Sequence, residues 1–208
     1  VQCLVIPTSD YHNSEYVSEY FMARKYFSGF TGSAGTLVVA EDQAALFTDG
    51  RYFIQAAREL AGSDITLMKM GEPGVPAVKD YIKEILKSFS DEYDIAVVAA
   101  TQRIVHSPKS HTFGSVIYEK KTDSYYEEKP YEKIEVVDRI GSGDAYISGF
   151  LYGLLKENGN CQAALEYGNA ASAMKNTVSG DMLWTDPQEM QQTIEMHHNI
   201  GQDFEMKR

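Results

Sequence analysis

Hydrophobic and polar positions change period several times along the chain, and each change predicts an element. Residues 1–7 are a short apolar run closed by Pro7, a strand pattern. Ser14 is placed to cap a helix running to about Phe27, with Tyr16, Tyr20 and Phe27 near one face. Gly29, Gly32 and Gly35 then interrupt the chain. Residues 36–40 and 44–48 form two strand-like runs, and the polar residues 41–43 between them predict a hairpin. Asp49-Gly50 is a turn signal, residues 52–60 predict a helix, and residues 65–70 a strand. A loop with two prolines follows at 71–76, and residues 78–87 predict a second amphipathic helix.

The pattern shifts at residues 89–93, which predicts a domain boundary there. Residues 95–100 are continuously apolar, as in a strand buried on both faces of a parallel sheet. Residues 101–112 are polar and predict an irregular segment, whereas 113–118 and 134–137 predict strands. Helices are predicted over 144–156 and 161–175. Asp186 as N-cap, Pro187 at the first position and Glu189 at the third predict a last helix ending near Asn199-Ile200-Gly201. Strands alternating with helices give an α/β fold class, in two domains of about 1–88 and 93–208.

Composition narrows the classes. Of 208 residues, 43% are hydrophobic and 24% charged, a globular balance. The net charge of −11 disfavours nucleic acid and anionic lipid as partners. Residues 1–90 carry 11 acidic and 8 basic groups against 19 and 11 in the rest, so the second half is the more acidic. Cys3 and Cys161 form neither a zinc pattern nor a disulfide framework, which fits a reducing compartment. No apolar run reaches the roughly 20 residues of a membrane helix, and no basic region precedes the first apolar stretch. These features predict a cytoplasmic protein.

The richest chemistry lies at residues 134–155. A strand-like run leads into Gly141-Ser142-Gly143-Asp144, and a helical stretch follows with Ile147, Phe150, Leu151 and Leu154 on one face. Strand, glycine turn and helix expose backbone N–H groups at a helix N-terminus, where donors and dipole favour an anion. Two glycines let phosphate approach the backbone and permit positive φ. Asp144, in the first helical turn, is placed to take a proton from a hydroxyl attacking a γ-phosphate. An aspartate N-cap on an ordinary helix gives the same local pattern.

The stretch from Asp138-Arg139-Ile140 through Gly141-Ser142-Gly143-Asp144 to Ala145-Tyr146 resembles the signature of the PfkB, or ribokinase-like, carbohydrate kinases. Arg139 stands where threonine is common in the family and is similar to the 2-keto-3-deoxygluconate kinase version. Thr101-Gln102-Arg103, Val105-His106-Ser107, Phe113-Gly114, Asn169-Ala170-Ala171, Lys175-Asn176-Thr177-Val178 and Gly180-Asp181 resemble the same subgroup. The resemblance implies a partial ribokinase-like three-layer α/β unit. It implies Asp144 as catalytic base and Gly141, Ser142 and Gly143 as anion hole. Asn169, Ala170 and Ala173 would lie near the adenine. Arg103 would belong to a substrate or nucleotide loop, and Asp138 would sit at a monovalent-cation (K⁺) position. ATP with Mg²⁺ and a small sugar acid are the implied ligands. Family members carry a lid and most sugar contacts in a long N-terminal portion that residues 93–208 do not match, so the transfer site is expected to be incomplete.

Residues 4 to about 87 carry another resemblance. Pro7, Tyr11-His12, Ser14-Glu15-Tyr16, the run from Ser28-Gly29-Phe30 to Gly35-Thr36, the run from Leu46-Phe47 to Arg51-Tyr52, Leu67-Met68-Lys69-Met70 and Gly74-Val75-Pro76 resemble the creatinase/aminopeptidase P N-terminal domain. That domain is non-catalytic in its family and helps oligomerise the enzyme, which implies homo-oligomerisation here. The family's two-metal catalytic domain has no match after Tyr93, so no peptidase activity is expected. The alternatives to a sugar kinase are therefore a non-catalytic aminopeptidase P-like module and an inactive join of two fragments.

Other residues are expected to be ordinary. Asp49-Gly50-Arg51 predicts a turn with a surface ion pair. His106 and His111 flank a polar loop without a carboxylate or thiol partner, a weak metal pattern. His197 and His198 suit the C-terminal end of the last helix. Trp184 is expected to pack in a core or cap, and Tyr125, Tyr126 and Tyr131 to decorate a solvated hairpin. No protein metal site is predicted.

Overall fold

Leu37 and Leu46 point to one face of the first sheet, and Val38, Ala45 and Phe47 to the other, which is strand alternation with both faces covered. The computed structural model describes residues 4–8 and 17–199. Strands β1 (Leu4–Pro7), β2 (Thr36–Val39), β3 (Ala44–Thr48) and β4 (Ile65–Lys69) form this sheet in the order β1-β2-β3-β4. The expected hairpin is β2-β3, antiparallel with Leu37 opposite Leu46. β4 runs parallel to β3 after helix α2 (Phe53–Glu59). Ala56 and Leu60 pack on the Leu37/Leu46 face with Phe30. The opposite face takes Tyr81 and Ile85 of helix α3 (Val78–Glu92).

Two helical expectations change in this half. Ser14 and Tyr16 lie outside the described residues. Among those described, the single helix predicted to Phe27 is a 3-10 turn (Glu19–Phe21) and a short helix α1 (Ala23–Ser28), divided at Met22. Tyr20 and Phe27 are exposed, and the buried face is Arg24 and Ser28. The Arg24 side chain sets this orientation: Nε donates to Thr8 Oγ1 at 2.6 Å, Nη1 to the Phe30 carbonyl at 3.0 Å, and Nη2 to the Gly32 carbonyl. Gly29, at φ +71°, ends α1 in the left-handed region. α3 also runs five residues beyond its predicted end, through Glu92, and the chain divides into two compact units, Val1–Tyr93 and Asp94–Arg208.

The second unit is built on β6 (Ser110–Glu119). β5 (Val97–Ser107), β7 (Ser124–Glu127) and β8 (Tyr131–Glu135) all pair with it antiparallel, β7 and β8 at opposite ends. The run at 95–100 is therefore not a doubly buried parallel strand: β5 is half-exposed and continues through the segment predicted to be irregular. Its polar residues face solvent on one side of β6, and Ser107-Pro108-Lys109-Ser110 is the hairpin turn. Residues 136–137, predicted as strand, follow β8 rather than extending it.

Helix α5 (Cys161–Asn176) lies against the sheet, with Cys161 and Leu165 on Ile117. Asn160 caps it, its side chain accepting from the N–H groups of Gln162 and Ala163. Helices α4 (Ser142–Lys156) and α6 (Pro187–Asn199) pack on α5 through Ala145, Tyr167, Ala170, Ala171, Met190 and Ile194. α6 begins as predicted, Asp186 Oδ1 accepting from Gln188 and Glu189 at 2.8 Å each. α4 buries only part of the face its apolar pattern suggested, Phe150 and Leu154 packing beside Ile117 and Leu165. Ile147 and Leu151 are exposed, while Ala145, Tyr146, Gly149 and Gly153 are buried. Close approach of α5 decides this: a Cβ on Gly149 would stand 2.5 Å from the Tyr167 carbonyl oxygen. Trp184, expected in a core or cap, is 82% exposed. Among the described residues no helix is long and apolar enough to cross a membrane.

Candidate functional site

The segment between β8 and α4 is tied down before it reaches the glycines. Val136 N–H donates to the Lys109 carbonyl at 2.9 Å, and Val137 N–H to the Asn176 carbonyl at 2.8 Å. Lys175 is fully buried, and its ammonium donates to the carbonyls of Asp138 at 3.2 Å and Val178 at 3.1 Å. Asp138 organises the next turn. Its two carboxylate oxygens accept from the N–H groups of Ile140 at 3.0 Å and Gly180 at 3.2 Å. The Ile140 N–H, more than any other neighbour, holds the Asp138 carboxyl below its ordinary value.

Gly141 is the N-cap of α4 at φ +79°, a left-handed conformation, and a Cβ there would lie 1.8 Å from the Asp181 carbonyl oxygen. The position therefore admits only glycine. Ser142 N–H donates to the Arg139 carbonyl at 3.1 Å, and Ala145 N–H to Gly141 at 2.9 Å. Gly143 and Asp144 fall in the first turn, whose N–H groups have no acceptor within the helix. A Cβ on Gly143 would meet nothing within 4 Å, so open space lies over this backbone. Asp144 is exposed as the third residue of a 15-residue helix. Free N–H donors, the positive end of the helix dipole and an accessible carboxylate thus meet at one turn.

The other residues singled out from the sequence are dispersed. Arg103 lies exposed on β5, opposite Phe113. Its charge and that of Arg139 both act on His111, whose burial, first of all, holds its pKa below the ordinary histidine value. His106 and His111 belong to paired strands rather than a loop, and His106 Nε2 lies 2.8 Å from Thr112 Oγ1. Asn169, Ala170 and Ala173 stand inside α5 at 0, 0 and 5% exposure. Both ends of the Asn169 amide are engaged: Oδ1 accepts from Ser115 Oγ at 2.8 Å and Nδ2 donates to Glu128 Oε1 at 2.7 Å.

A cluster that the sequence did not reveal lies behind Asn169. The Glu128 side chain is only 6% exposed, and its Oε2 has no hydrogen-bond partner. Burial pushes its carboxyl up to about 7. Glu166 and His198 face it. The segment expected to be a solvated hairpin is thus partly interior: Tyr131 stacks on His197 at 3.7 Å between ring centroids, and burial raises its pKa. His197 is buried and not a solvated helix-end cation. Its Nε2 lies 2.7 Å from the Lys129 carbonyl, and burial lowers its pKa. Adjacent acidic, aromatic and histidine residues were visible in sequence, but their convergence depends on how α6 returns along α5.

In the N-terminal unit, Arg51 and Asp49 form an exposed two-bond pair at 2.9 and 2.8 Å within the turn. The Arg51 guanidinium holds the Asp49 carboxyl down at about 2. His12 lies outside the described residues.

Comparison with known proteins places two families along the chain. Residues 16–113 match the creatinase/prolidase N-terminal domain, and residues 112–187 match the pfkB family of carbohydrate kinases. Aminopeptidase P2 of Arabidopsis thaliana is 51% identical over 86 residues, 41% of this chain and 12% of that protein. A probable Xaa-Pro aminopeptidase P of Coprinopsis cinerea is 48% identical over 86 residues, 41% of this chain and 14% of that protein. The 2-dehydro-3-deoxygluconokinase of Thermotoga maritima superposes with a TM-score of 0.53 at 20% identity, over 73% of this chain and 41% of that one. The chain spans about an eighth of the length of these curated relatives and less than half of that kinase. The fold is α/β, and the chain resembles a creatinase-type N-terminal domain followed by part of a ribokinase-like unit.

Proposed function

We propose that the second unit binds ATP·Mg²⁺ at the Gly141–Asp144 turn and takes part in phosphoryl transfer to a hydroxyl of a small sugar acid. The observation that carries this reading is the Gly141 turn. It is locked in a glycine-only conformation against Asp181, and it opens the N-terminus of α4 beside an exposed Asp144. In the transfer step Asp144 takes the proton of the acceptor hydroxyl as its oxygen bonds to the γ-phosphorus. The bond from that phosphorus to the bridging oxygen breaks, and ADP leaves. The N–H groups of Gly143 and Asp144 face the charge that develops. Mg²⁺ is held chiefly by the nucleotide phosphates.

Arg103 and Arg139 supply positive charge for the acceptor carboxylate or the nucleotide. Asn169, Ala170 and Ala173, buried in α5, would lie near the adenine in this reading. The Asp138 carboxylate, already bonded to two N–H groups, acts in this reading as organiser of the turn, and a K⁺ ion would use its remaining lone pairs. The low cysteine content and the buried thiol of Cys161 support a reducing, cytoplasmic setting.

Titration calorimetry of the full chain with ATP·Mg²⁺ tests the reading. Saturable binding with one site is expected, and no heat at millimolar nucleotide would remove it.

A second reading rests on the 51% identity of the first unit to an aminopeptidase P. In it the N-terminal unit is a non-catalytic self-association module. Sedimentation of the full chain should then give a mass that rises with concentration. A monomer at every concentration would count against it.

A further inference from the structure

Glu128, Glu166 and His198 come from three separate segments: the connection before β8, the middle of α5 and the end of α6. His198 Nε2 lies 3.6 Å from Glu128 Oε2 and 3.7 Å from Glu166 Oε1, and all three ligand atoms lie within 4.8 Å of one another. Zinc with bonds of about 2.0–2.1 Å in a tetrahedral set needs ligand atoms about 3.3–3.4 Å apart. Small side-chain shifts close that difference. We propose that these three residues form a divalent-metal site of the zinc type, with a fourth position left for water.

Three further observations support it. The Glu128 side chain is more than nine-tenths buried, and the oxygen it turns toward His198, 3.6 Å away, accepts no hydrogen bond. A buried carboxylate oxygen that accepts no hydrogen bond is costly, and a dication between two carboxylates offsets that cost. Glu128 is also oriented from behind, through the oxygen that faces away from His198, and Glu166 is steadied at its facing oxygen. Asn169 Nδ2 holds Glu128 Oε1 at 2.7 Å, itself fixed by Ser115, and Gln162 Nε2 holds Glu166 Oε1 at 2.9 Å. Glu166 and His198 are 21 and 46% exposed in their side chains, which leaves an entry path and an open position on the solvent side. A mixed imidazole and carboxylate set suits zinc better than magnesium or calcium, which take oxygen ligands. Bound there, the ion would tie α6 to α5 and to the connection before β8.

The test uses the untagged full chain, cleared with a chelator and titrated with zinc chloride against a chromophoric competitor, and separately with cobalt(II) as an optical probe. One zinc per chain is expected, with a cobalt spectrum of low coordination number and a raised melting temperature for the second unit. His198→Asn and Glu166→Gln alter partly exposed groups and keep side-chain size and polarity. Each is expected to weaken zinc by about tenfold or more and to cancel the thermal gain. His106→Asn, away from the cluster, should leave both unchanged. Absence of zinc binding, or zinc affinity unaltered in both His198→Asn and Glu166→Gln, would overturn the site.

Discussion

Asp144→Asn should leave ATP·Mg²⁺ affinity largely intact and slow phosphoryl transfer by about 10²–10⁴-fold, the usual contribution of a general base. Asparagine keeps the size and a polar head group but cannot accept the hydroxyl proton. The substitution falls at an exposed position in the first turn of α4, so the fold should tolerate it. Losing the negative charge beside the phosphates would, if anything, strengthen nucleotide binding. The measurement is ADP release with 2-keto-3-deoxygluconate as acceptor, beside calorimetric binding of ATP·Mg²⁺. Transfer at the wild-type rate in the variant would remove Asp144 from the chemistry, whatever the nucleotide affinity.

Gly141→Ala should produce the other large effect, and on binding rather than on chemistry alone. The new methyl group would be placed 1.8 Å from the Asp181 carbonyl oxygen, well inside contact distance. The residue must also hold φ +79°, which costs an L side chain about 1–2 kcal/mol before any clash is counted. Either the loop around Asp181 moves away or the first turn of α4 unwinds. Both outcomes misplace the Gly143 and Asp144 N–H groups. A loss of ATP affinity of about tenfold or more is expected, together with a lower melting temperature for the second unit. Gly143→Ala is the informative contrast. Its Cβ would meet open space, so stability should hold while the methyl crowds the phosphate. Equal nucleotide affinity in all three proteins would show that the phosphate lies elsewhere.

Local chemistry was legible in the sequence where it is decided by a few adjacent residues. The β2-β3 hairpin follows from two apolar runs around a polar turn, and Asp186-Pro187 with Glu189 starts α6 as its capping groups require. The Gly141–Asp144 helix start was readable for the same reason. What depends on distant partners was not. α4 exposes Ile147 and Leu151 and buries Gly149 and Gly153, because backbone approach to α5 rewards absent side chains rather than large ones. β5 was hidden by Thr101, Gln102, Arg103 and His106, which face solvent from a strand paired on one side only. Asn169 carries the right residue type for a ligand contact, yet its position inside α5 turns it toward Ser115 and Glu128. The Glu128, Glu166 and His198 cluster could not be found from spacing, since it exists only where three segments meet.

Amide mapping by NMR of the full chain during titration with ATP·Mg²⁺ tests the phosphate cradle most directly. Saturable shifts are expected, largest at the amides of residues 140–145 and led by Gly143 and Asp144, with the N-terminal unit unmoved. No shift at millimolar nucleotide, or shifts that leave residues 140–145 untouched, would contradict it.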